Sequence, residues 1–142
     1  MSSKPTTFEK YALHWRRDTH PLEIEFYCVR QGAEWCRAQG RSLFYHYREA
    51  QRLAWPDDDQ HRWSDLGLET MVNNDITVFM GPGDSNKTYG ISRFVLIDWW
   101  TNPNDTLWLV SSTELRGAEL RIWGILKQLF NRARQRHPWL VG

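Results

Sequence analysis

Five residues of apolar or β-branched character, Ile76-Thr77-Val78-Phe79-Met80, run directly into Gly81-Pro82-Gly83-Asp84-Ser85-Asn86-Lys87-Thr88, and this junction narrows the possible architectures more than any other stretch of the chain. A short run without polar alternation predicts a strand buried on both faces, as in a parallel sheet. The segment after it, from near Thr88 to Trp100, predicts a helix. It is apolar almost all round, with Ile91, Phe94, Val95, Leu96, Ile97, Trp99 and Trp100, so other elements are expected to enclose it. Strand, glycine-rich loop and helix in this order predict an α/β fold, the beginning of a P-loop NTPase parallel sheet.

The loop has the frame G-x-x-x-x-G-K-[ST], with asparagine at the second glycine position. A phosphate-binding loop must turn tightly enough for successive backbone N–H groups to face a polyphosphate, while the following helix adds its positive end. On this reading Gly81, Gly83, Asp84, Ser85 and Asn86 form the cradle, Lys87 reaches the β and γ phosphates, and the Thr88 hydroxyl ligates magnesium. Asn86 fits because asparagine is the non-glycine residue that best tolerates left-handed backbone.

Elsewhere the periodicity predicts helices over residues 23–38, 43–54 and 60–72, and a last one over about 115–136. In the first, Ile24, Tyr27, Cys28, Trp35 and Ala38 recur at helical spacing, and Gly40 supplies the stop. Leu43, Tyr47, Ala50 and Leu53 share a face of the second; Trp63, Leu66, Leu68, Met71 and Val72 are available for burial in the third. The aspartates Asp57, Asp58 and Asp59 predict a cap for that third helix. A second buried strand is expected over residues 106–112, carrying Leu107, Trp108, Leu109 and Val110. The last helix is amphipathic, burying Leu115, Ala118, Ile122, Leu126, Leu129 and Ala133. Its segment from 114 to 136 holds six basic residues against two acidic ones, a local basic face on a chain of net charge +1.

Several chemistries are excluded by pattern. Asp98 ends an apolar run but lies at the far end of the helix that follows the phosphate loop, and the second strand ends in Ser111-Ser112-Thr113, so no catalytic acid is apparent. His14, His20, Cys28 and Cys36 lack the close pairing of a zinc site, and the two cysteines read as buried thiols. His46, His61 and His137 have no neighbouring nucleophile for a triad. No apolar run approaches the roughly 20 residues of a membrane span. With no charged-then-apolar leader and few cysteines, a reducing cytoplasm is the expected compartment.

The ordered set Ala50-Gln51-Arg52-Leu53-Ala54-Trp55-Pro56, His61-Arg62-Trp63-Ser64-Asp65-Leu66, the phosphate loop, Leu109-Val110-Ser111-Ser112-Thr113 and Arg121-Ile122-Trp123-Gly124 resembles the front of the ATPase domain of tailed-phage terminase large subunits. The resemblance implies an ATP-binding portion of a motor that packages viral double-stranded DNA into the procapsid, with ATP and magnesium as cofactors. The portal and the small terminase subunit are its implied partners, and the host cytoplasm its compartment. It implies a helical segment over residues 1–72, with His61, Arg62 or Trp63 near the adenine, and the start of the ATPase core over residues 73–142. A tryptophan in the place of Trp63 more often belongs to the core. The family's acidic pair, coupling motif and nuclease domain are not matched, which implies a truncated ATPase core. The alternative is a non-catalytic helical interaction protein, or a DNA binder acting through its basic last helix, with a degenerate phosphate loop.

Overall fold

The computed structural model describes residues 20–59, 61–80, 87–109 and 122–142. They form six helices: α1 (Pro21–Gln31), α2 (Ala33–Ala38), α3 (Leu43–Ala54), α4 (Arg62–Asn73), α5 (Lys87–Thr101) and α6 (Gly124–Arg136). None is long and apolar enough to cross a membrane.

Local sequence explains most of the helix boundaries. Pro21 occupies the first turn of α1, where its missing N–H is no loss, and the Leu22 N–H donates to His20 Nδ1 at 3.1 Å. The single helix expected over 23–38 is divided at Gly32, whose φ of 92° and ψ of 172° lie in a region essentially reserved for glycine. Gly40, at φ 87°, ends α2 as expected. Its N–H donates to the Arg37 carbonyl and that of Arg41 to the Cys36 carbonyl, the paired bonds of a Schellman motif. Ser42 caps α3 by accepting from the Tyr45 N–H at 3.1 Å. Helix α4 is capped by His61, which accepts from Ser64 N–H, and not by the aspartates.

Helix α1 packs on α3 and α5, α3 and α4 pack on one another and on α5, and α6 closes over α5. The core collects Leu22, Phe26 and Val29 from α1, Ala50 and Ala54 from α3, Ile97 and Trp100 from α5, and Leu129 and Ala133 from α6. The buried face of α1 matches the expected one at Cys28 only, since Ile24 and Tyr27 are half-buried and Ala38 of α2 is exposed. Buried indoles find partners for their N–H groups: Trp55 donates to the Leu129 carbonyl at 2.8 Å and Trp100 to that of Val141 at 3.1 Å. Helix α5 is enclosed as its composition predicts, with seven residues from Ser92 to Thr101 buried. Asp98 accepts hydrogen bonds from the Tyr47 hydroxyl and the Trp108 indole, a structural role for this carboxylate.

The expected parallel sheet is absent: no strand forms among the described residues. In place of a two-faced buried strand, Ile76, Val78 and Met80 are 85%, 77% and 92% exposed, while Phe79 turns inward against Gly67. Leu107 and Leu109 are exposed likewise, and residues 110–112 of the second expected strand lie outside the described ones. A continuously apolar strand needs ladder partners at its edges and cover on both faces. Here helix faces fill the interior, leaving 76–80 on the surface of α4.

Candidate functional site

Helix α4 and the first half of α5 diverge enough to leave a cleft of about 320 Å³, open to solvent. Its lining includes His61 and Trp63 from α4 and its cap, Lys87, Tyr89 and Arg93 from α5, and Asp58 from the turn after α3. Three residues singled out by sequence, Lys87, His61 and Trp63, thus share one cavity although 26 positions separate His61 from Lys87. Trp63 is 70% exposed, which corrects its reading as core. Arg62 places its guanidinium 5.7 Å from that ring but does not line the cleft. Thr88 lies in the first turn of α5, where its carbonyl accepts from the Ser92 hydroxyl. Gly81, Gly83, Asp84, Ser85 and Asn86 lie outside the described residues.

The inner wall of the cleft is an ionic cluster that sequence reasoning did not find. Asp58 Oδ1 accepts from Arg132 of α6 at 2.7 Å, and its Oδ2 accepts from the Tyr89 hydroxyl at 2.5 Å. The Tyr89 oxygen in turn accepts from Arg132 at 2.9 Å. Burial, reinforced by the bond to Asp58, raises the Tyr89 phenol above its ordinary value, so it remains a donor. The hydrogen bond to Asp58 similarly holds Arg132 above its usual range.

Arg93 completes the cluster. It is only 4% exposed, lies 5.2 Å from the centre of the Tyr89 ring, and its Nη1 is 3.9 Å from Asp58 Oδ2, too far for a hydrogen bond. Among the described residues neither its Nε nor its Nη1 has a hydrogen-bond partner. Leaving a buried donor unmet costs about 1–3 kcal/mol, and more for a charged group. Desolvation accordingly pulls the Arg93 guanidinium down from its ordinary value, opposed chiefly by Asp58. An arginine amid the apolar residues of α5 was the sequence signal for this position.

Other candidate chemistry is accounted for structurally. Cys28 and Cys36 are buried free thiols, and the Cys36 thiol donates to the Cys28 carbonyl. Among the described residues no three His, Cys, Asp or Glu side chains converge to hold a metal ion. Part of the basic face of α6 is paired within the chain: Arg132 with Asp58, Arg136 with Asp57 at 3.2 Å on the surface, and Arg134 donates to the Gly142 carbonyl. The acidic turn expected to cap α4 instead anchors α6.

The cleft combines Lys87, a buried arginine with donors unmet among the described residues and an exposed indole at its rim with the carboxylates of Asp58 and Asp59. Comparison with known proteins adds no family to this geometry, since no family model, curated protein or solved structure matches the chain.

Proposed function

We propose that the chain binds the phosphates of ATP in the cleft between α4 and α5, as the ATP-binding portion of a terminase large subunit that powers packaging of viral double-stranded DNA into a procapsid in the host cytoplasm. The observation that carries this reading is the convergence of Lys87, His61 and Trp63 on one cavity whose inner wall supplies Arg93. Lys87 would neutralise phosphate charge, Thr88 would offer its hydroxyl to magnesium, and the exposed Trp63 ring would stack on the base. The portal and the small terminase subunit belong to the same proposal, as partners of the motor. The parallel sheet does not, because the described walls of the cleft are helical.

Calorimetric titration with Mg-ATP tests this reading. Lys87→Ala is expected to abolish binding, and Trp63→Ala to weaken it by about 1–3 kcal/mol, the usual worth of a base–aromatic stack. Equal affinity of the Lys87→Ala chain and the unaltered one would sink the nucleotide assignment. The helical architecture supports a second reading, a non-catalytic interaction or DNA-binding protein. Salt-sensitive DNA binding without any response to nucleotide would favour it.

A further inference from the structure

Arg93 lies six residues after Lys87, about 9 Å farther along the axis of α5, yet both line the same cleft. The two oxygens of Asp58 are already engaged, one by Arg132 and one by the Tyr89 hydroxyl, which leaves Arg93 with a counter-charge but no hydrogen bond to it. The unmet Nε and Nη1 belong to a side chain that is only 5% exposed, in a residue that forms part of the cleft wall. A guanidinium keeps its charge and presents planar donors, so a negatively charged group rich in acceptor oxygens suits the Nε and Nη1 that have no partner among the described residues. Two cations set apart along one wall match an extended polyanion better than a compact one.

We propose that Arg93 is a second phosphate-anchoring residue of this cleft, its unmet N–H groups taking oxygens of a polyphosphate that Lys87 holds at the start of α5. The inference rests on the reading of the cleft as a phosphate site, but not on the phosphates belonging to a nucleotide. An oxyanion placed there would supply the hydrogen bonds that Asp58 does not, leaving the Asp58–Arg132–Tyr89 cluster intact behind it.

The test titrates the full chain with inorganic pyrophosphate, orthophosphate and Mg-ATP. Arg93→Gln is expected to weaken pyrophosphate binding at least tenfold, and Arg93→Lys, which keeps the charge but not the planar donors, to recover only part of it. Unchanged pyrophosphate affinity in a folded Arg93→Gln chain overturns the assignment, even where Lys87→Ala abolishes ATP binding. Arg93-dependent pyrophosphate binding without any ATP binding removes the nucleotide reading and leaves this one standing. Orthophosphate binding as tight as that of pyrophosphate overturns the extended-anion part of the proposal. Should Arg93→Gln fail to fold, the Nε resonance of Arg93 in a nitrogen-15-labelled, unaltered chain decides: a saturable shift on adding pyrophosphate supports the contact, and an unmoved resonance overturns it.

Discussion

Replacing Asp58 by asparagine tests the ionic cluster with little change of shape. Asp58 is the counter-charge nearest to buried Arg93, at 3.9 Å. At an effective dielectric of about 20, two unit charges at that separation attract by about 4 kcal/mol. The pair with Arg132 adds little, because that guanidinium is about a third exposed and such pairs are worth at most about 1 kcal/mol. Against this, the asparagine oxygen can still accept from Arg132, and Asp65 contributes a weaker attraction to Arg93. The expected net loss is therefore about 2–4 kcal/mol, which lowers the midpoint of urea unfolding by roughly 1.5 M for a slope near 2 kcal/mol per molar. Combining Asp58→Asn with Arg93→Met removes both charges, and the double variant should be less destabilised than the sum of the two single effects by at least about 1.5 kcal/mol. A single-variant loss below about 0.5 kcal/mol, or strict additivity in the double, would refute the claim that Asp58 compensates a buried guanidinium.

The glycines offer a paired test of backbone reasoning. A Cβ at Gly32 or Gly90 meets nothing within 4 Å, so only conformation distinguishes them: Gly32→Ala should destabilise by about 1–3 kcal/mol at its positive φ, whereas Gly90→Ala, within helix α5, should stabilise by about 0.5–1 kcal/mol in the same chemical denaturation assay. A Gly32→Ala chain no less stable than the Gly90→Ala chain would show that the kink between α1 and α2 carries no constraint. Burial pushes the Cys28 thiol up to about 12 and that of Cys36 to about 11, from 9.0 in both cases. The folded state thus holds these protons where the unfolded chain releases them, a stabilisation present below pH 9 and lost as pH rises towards 11–12. The urea midpoint should fall between pH 8 and pH 10.5, and less steeply in a Cys28→Ala/Cys36→Ala chain; equal slopes would mean that the thiols titrate as if exposed.

Much of the helical framework was legible along the chain because its signals are local. Gly40 ends its element through a backbone preference that acts over a few residues, and helix α3, capped by Ser42 in the structure, occupies the expected residues 43–54. The apolar girth of α5 likewise announced its enclosure. The run 76–80 was misread because an unbroken apolar pentapeptide records hydrophobicity without recording whether ladder partners exist. A strand is a property of two segments, and the described chain offers helix faces instead. The site divides in the same way. Lys87 stood out through its motif spacing, and His61 and Trp63 through a family resemblance, but only folding brought them to one cleft. Asp58 looked like a local cap and became the partner of Arg132, 74 residues away, because helix α6 docks beside that turn. Arg93 shows the limit most plainly. The sequence determines that an arginine stands in an apolar helix, whereas the tertiary packing decides that its charge is buried, that Asp58 is already engaged elsewhere, and that the residue forms part of a cleft wall. Long-range ionic pairing depends on which surfaces meet, and that is set by the summed burial of the packed helices, not by any spacing along the chain.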